Sequence, residues 1–380
     1  MKKIFTLKNW QDVEDFVRGC SFFGTGGGGD YAMGIDALMK QLEKGHEIGW
    51  SDANELDKQA YSCCPFLMGS IAPETPEIVK ERESIYGLGE QTCDYTQAMV
   101  GCVRALEKMH GKTASALVPI ELGGANTASC IAAAAEMGID VVDGDYTGRA
   151  IPEIQQTTPF IFNKPLLPVT SYDCWENVSC ITETVNWRMT ERIGKMIAAA
   201  GYSKCAQAGF FFSVKEMNEV LLHGTLSECY KVGRALRLAY QEGNDPAQAA
   251  VDAAGGWIVC RGRVSEKKWW DQIGYYWGTH TITGEGEFAG TELKIWFKNE
   301  NHMSWKNGKR FVTSPDMLQV IDAKTGQPYT NNKIEEGMDV AVIAMPAREI
   351  FRSERGLFVL SPRAFGFEEP YVPVEKVLES

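Results

Sequence analysis

Hydrophobic positions fall at helical spacing in "DYAMGIDALMKQLEKG", where Tyr31, Ile35, Leu38, Met39 and Leu42 form one stripe, with Asp30 at a cap position and Gly45 at the end. "WQDVEDFVRGC" reads as a shorter helix before it, and "CDYTQAMVGCVRALEKMHGK" as a later one, with Met99, Cys102, Val103, Leu106 and Met109 in register. "AYSCCPFLMGS" is a compact apolar strand, and Pro65 predicts a sheet edge or an early end for it. The clearest unit follows: a strand "ASALVPI", a glycine loop "ELGGANT", a small-residue helix "ASCIAAAAEMG" and a strand "IDVVDGD". That order in so short a span predicts a βαβ crossover and a mainly parallel sheet.

From about residue 171 the pattern changes. Residues 181–201 and 214–243 read as helices, with Ser213 and Thr225 as N-caps, and "NDPAQAAVDAAGG" adds a short one with Pro246 in its first turn. After Gly256 the chain becomes rich in short apolar strands separated by turn signals such as Asn307-Gly308 and "DAKTGQP". The expectation is an α/β protein of two parts. Residues 1–170 form a mainly parallel domain, and residues 171–380 a helical segment followed by a β-rich barrel or sandwich.

Composition narrows the function. The 380 residues are 44% hydrophobic, enough for a sizeable core, and the net charge of −12 argues against a nucleic-acid partner. No apolar run reaches the length of a membrane span, and the start turns polar directly after two lysines, so neither membrane nor export is expected and the location expected is cytoplasmic. The eleven cysteines make no C-x-x-C pair and read as small buried hydrophobes. The five histidines show no metal-ligand spacing, although His302, inside "NENH", stands out for its polar neighbours.

Gly24, Gly26 and Gly29 in "GTGGGGD" fit G-x-G-x-x-G, yet a helix rather than a strand precedes them, so no nucleotide is expected. Four consecutive glycines exceed what a turn needs. They point to close ligand approach by the backbone of Gly26, Gly27, Gly28 and Gly29 beside the helix cap Asp30. Loops at the carboxyl edge of a parallel sheet share one crevice, which would gather Glu121, Asn126, Asp143, Asp145, Arg149 and Glu153 opposite these glycines. Paired aspartates there can hold a divalent metal, share a proton or activate water.

The segments "GTGGGGD", "ELGGANT", "VVDGDYTGRAIPE", "FKNENHM", "SPDMLQVIDAKTGQP" and "SPRAFGF" resemble, in order, the S-methyl thiohydantoin desulfurase family; Tyr31 and His302 depart from its pattern. The resemblance implies an α/β domain followed by a β-rich one, and chemistry on hydantoin-like rings or their sulfur analogues, often beside hydantoinase-type enzymes. Hydrolysis at C2 then needs a base, Asp143 or Asp145, and amide donors from Gly26–Gly29. Arg149 orients an acidic group, and Glu121 and Asn126 bind the ring. Glu153 lies close by, and Asn299, Glu300 and Asn301 close the crevice. The expected partner is a small cyclic ureide, in a homo-oligomer, with one divalent metal left open as cofactor. A non-catalytic binding subunit or sensor is the alternative. The tryptophans from Trp269-Trp270 to Trp277 fit either a subunit contact or core packing.

Overall fold

A computed structural model describes residues 3–69, 75–202 and 204–379. Its first sheet has six strands in the order Asp140–Val141, Ala114–Leu117, Tyr61–Gly69, Lys204–Ser213, Val169–Tyr172 and Val178–Ile181. The expected crossover is present: Leu117 pairs in parallel with Val141, and helix Asn126–Met137 connects the two strands. The sheet as a whole is mixed rather than mainly parallel. Tyr61–Gly69 also pairs in parallel with Ala114–Leu117, and the remaining three of the sheet's five pairings are antiparallel, because Lys204–Ser213 returns along Tyr61–Gly69 and carries the Val169–Ile181 hairpin beside it. Strands from both sides of residue 170 therefore share one sheet.

Pro65 lies in an interior strand and not at an edge. Tyr61–Gly69 has its last partner toward Ala114–Leu117 at Cys63, so the missing N–H of Pro65 removes no ladder bond on that side. The predicted 181–201 helix begins only at Trp187. The predicted 214–243 helix is broken: Val214–Asn218, capped by Ser213, is followed by Leu222–His223, and Thr225–Glu242 starts afresh after Gly224 at φ +79°.

Helix Trp10–Phe23 packs against Thr225–Glu242 at a close crossing. A Cβ on Gly19 would fall 1.7 Å from the Cys229 carbonyl oxygen, and one on Gly233 would fall 1.8 Å from that of Asp15. Phe16, Phe22, Phe23 and Trp50 fill the core around this contact, and all cysteines except Cys93 and Cys180 are buried.

The second part is a seven-stranded antiparallel sheet curled into a half-barrel, in the order Lys309–Thr313, Glu300–Lys306, Glu292–Lys298, Tyr275–Gly284, Trp257–Gln272, Asp339–Met345 and Met317–Asp322. Its own core holds Val264, Ile282, Leu293, Ile295 and Val342. Trp269 and Trp270 stand half exposed on the long hairpin. Among the described residues no helix is long and apolar enough to cross a membrane.

Candidate active site

The first glycine loop is a seam between the two parts. Gly24 ends the preceding helix, and the chain then takes positive φ at Thr25 (49°), Gly26 (94°), Gly28 (72°) and Gly29 (88°). Its carbonyls do the joining. Thr25 O accepts the Asn301 N–H at 2.9 Å, Gly26 O accepts the Asn331 N–H at 2.7 Å, and Gly28 O accepts the Ala125 and Asn126 N–H groups at 3.2 and 3.1 Å. A Cβ on Gly28 would lie 2.4 Å from the Gly123 Cα, so the two glycine loops touch backbone to backbone.

Beside this contact lies a cavity of ≈ 80 Å³, room for several waters or one small ring. Gly28 and Gly29 form one wall, Glu121 and Asn126 a second, Ile151 to Ile154 a third, and Asn299 with Glu300 enter from the half-barrel. Asn126 is locked at both ends: its Oδ1 accepts the Leu67 N–H at 2.9 Å and its Nδ2 donates to Glu121 Oε1 at 2.8 Å. Glu121 Oε2 accepts the Ile151 N–H at 2.7 Å. Glu153 pairs with Lys298, whose ammonium sits 4.0 Å from the Tyr275 ring centroid.

Three charged lining groups, Glu191, Lys195 and Lys204, have no counterpart in the sequence reading. Helix Trp187–Ala200 turns Glu191 and Lys195 into the same cavity. Glu191 accepts from the Tyr275 hydroxyl at 2.8 Å and the Ile154 N–H at 2.9 Å, while the Lys195 ammonium donates to the Gly69 carbonyl at 2.8 Å.

Several expected members lie elsewhere. Asp143 accepts the Leu226 and Ser227 N–H groups, each at 3.0 Å, and the Ser227 hydroxyl at 2.6 Å, so it caps helix Thr225–Glu242 from a distant loop. Asp145 accepts from Thr147 and Gly148 within its own loop. Neither lines the cavity, because the strand ends at once and both side chains are drawn to unsatisfied backbone donors nearby. Arg149 also lies behind the wall. Its guanidinium donates to Thr25 Oγ1 (3.1 Å), the Asn301 carbonyl (3.2 Å) and the Pro315 carbonyl (3.0 Å). Asn301 binds the Leu318 carbonyl at 3.0 Å, and Asp30 caps its helix and pairs with Lys333 at 3.4 Å. Gly26 and Gly27 back onto Asn331 and Glu300 rather than the open space. His302 is stacked on Phe365, with Nδ1 2.8 Å from Ser314 Oγ.

Burial dominates the electrostatics. It pushes Glu121 up to about 7, against the pull of the Ile151 N–H, the Asn126 amide and Lys195. Glu300 is raised well above the ordinary carboxyl value, by burial first and by the Glu121 charge second, with Arg149 and Lys195 opposing. Glu191 is raised and Lys195 lowered, each again chiefly by burial. Burial thus raises the proton affinity of these three cavity carboxyls, which favours exchanging protons with a ligand. Among the described residues no set of three or more His, Cys, Asp or Glu side chains is arranged to hold a metal ion.

The α/β unit and the half-barrel thus share one small cavity lined by buried carboxyls. The chain belongs to the S-Me-THD-like family: the N-terminal domain of that family matches residues 11–183 and its C-terminal domain residues 185–374. Membership points to a thiohydantoin-related role. A crystal structure of a protein from Chromobacterium violaceum shares the fold, with a TM-score of 0.77 at 21% identity over 97% of this chain and 100% of that one. No curated protein matches the sequence.

Proposed function

We propose that the chain is a hydrolase acting on a hydantoin- or thiohydantoin-like five-membered ring, replacing sulfur at C2 with oxygen from water. The observation that carries this reading is the pair Glu121 and Glu300, both buried in one cavity and both raised by that burial, with the Glu121 charge adding to the rise at Glu300. Two such groups cannot both ionise cheaply, so near pH 7 one can accept a proton while the other holds one. Hydrolysis at C2 needs both functions, because water must lose protons as it attacks and sulfur must gain one as it leaves. The Asn126 amide beside Glu121 and the backbone of Gly28 and Gly29 line the same cavity and would orient the ring.

The test is direct. Purified protein is given 2-thiohydantoin and S-methyl-2-thiohydantoin, and sulfide or methanethiol is measured together with the hydantoin formed. Release of the sulfur product in step with hydantoin is expected. No release from either ring, together with a rise in Tm on adding hydantoin, would make the chain a binding protein instead.

A further inference from the structure

We propose that Glu300 is the catalytic proton carrier of this cavity, giving its proton to the departing sulfur and regaining one from the water that attacks. This assignment rests on the hydrolytic reading above and adds to it the side chain that does the work.

The two central carboxyls differ in how they are held. Both oxygens of Glu121 are engaged by rigid donors, the Ile151 N–H and the Asn126 amide. Glu300 lines the same cavity at 2% exposure, yet its Oε2 has no hydrogen-bond partner among the described residues. An orphaned buried oxygen is costly, and in a native protein it is kept where something outside the fold is meant to meet it. Here that partner is a water or a ring atom in the cavity.

The local backbone is built to aim this side chain. Strands Glu292–Lys298 and Glu300–Lys306 are joined through Asn299 alone, at φ +59°, with Lys298 paired to Glu300. Asn299 is clamped to Tyr276 twice: its N–H donates to the Tyr276 carbonyl at 2.7 Å, and its Oδ1 accepts the Tyr276 N–H at 2.8 Å. From the other side Gly27 leaves the room, since a Cβ there would fall 1.8 Å from Glu300 Oε1. One of the four glycines thus has a reason beyond turning the chain. The charged groups that act on Glu300 are Glu121, Arg149 and Lys195, one anion against two cations. The carboxyl can therefore give up a proton and regain it within a turnover.

For an S-alkyl ring the step balances as follows. The water oxygen bonds to C2, the C2–S bond breaks, and sulfur leaves with the bonding pair. One water proton ends on the ring nitrogen, and sulfur takes one proton as it leaves. Glu300 gives its own proton to sulfur and takes the second water proton in exchange, so it ends the cycle in the state in which it began.

The test compares wild type with Glu300→Gln, which keeps the shape and removes the acid, and with Glu300→Asp, which keeps the acid on a shorter stem. Expected are a kcat lower by about 100-fold or more in Glu300→Gln and by about 10-fold in Glu300→Asp. Hydantoin, which has no sulfur to release, should still raise the Tm of both variants as it does in wild type. A kcat within threefold of wild type in either variant overturns the assignment while leaving the hydrolase reading intact. A wild-type protein that releases no sulfur product removes the hydrolase reading, and the assignment falls with it.

Discussion

Glu121 shows how the environment of one residue sets both chemistry and stability. Its pKa rises from the ordinary value near 4.5 to about 7 in the folded protein, mainly through burial. The folded state therefore holds this proton where the unfolded chain has lost it. The resulting stability is complete below about pH 4.5 and drains away as pH rises toward 7. Glu121→Gln should flatten that decline, and the difference between the two curves of unfolding free energy against pH, from urea titration, should grow across this window by on the order of 1–3 kcal/mol. Equal slopes for both proteins would show that Glu121 titrates normally. Glu121 and Asn126 were legible in the sequence because a loop between a strand and a helix has a known place at a sheet edge. Glu191 and Lys195 were not. An acid and a base four residues apart on a helix look like a solvated pair, and only the tertiary fold places them at 3% and 4% exposure.

Among elements, helix Thr225–Glu242 carries the clearest lesson. Thr225 has the right chemistry for an N-cap, but Gly224 occupies the cap and makes no side-chain bond. The free N–H groups of Leu226 and Ser227 are met instead by Asp143, more than 80 residues earlier. No local pattern signals such a cap, and for the same reason a paired aspartate at a strand end reads as chemistry in the sequence. Asp143→Ala should lower the free energy of unfolding by about 0.5–2 kcal/mol in urea titration, while kcat per folded molecule stays unchanged. A large loss of kcat with normal stability would return Asp143 to the reacting centre. The crossover from Ala114 to Val141 was legible for the opposite reason, since its strand, loop, helix and strand are contiguous. The antiparallel return of Lys204–Ser213 depends on pairing across some 140 residues and leaves no periodic trace.

At the scale of the whole molecule, the cavity exists because the α/β part and the half-barrel are held in fixed register, with Met317, Ile321, Ile343 and Met345 of the half-barrel packed into the same core as Phe16 and Leu236. The α/β part supplies Glu121, Asn126, Glu191 and Lys195, and the half-barrel supplies Asn299 and Glu300. The register depends on the glycine loop and on Arg149. Arg149 is 2% exposed and reaches Thr25 on one side and Asn301, Ser314 and Pro315 on the other. Its planar fork is the feature that matters, because a lysine ammonium cannot span acceptors on both sides at once. Burial lowers its pKa to about 10, still far enough above neutrality for the guanidinium to remain charged and donating. Removing it strands several buried acceptors together. Arg149→Met should cost about 3–5 kcal/mol of stability, and Arg149→Lys should recover only part of that. If the seam is what holds the two parts in register, urea unfolding of Arg149→Met should separate into two transitions where wild type shows one. The variant should also lose the Tm rise on adding hydantoin, because Glu300 would no longer be held opposite Glu121. A single sharp transition with an undiminished hydantoin response would mean that the glycine loop and the shared core fix the register without Arg149.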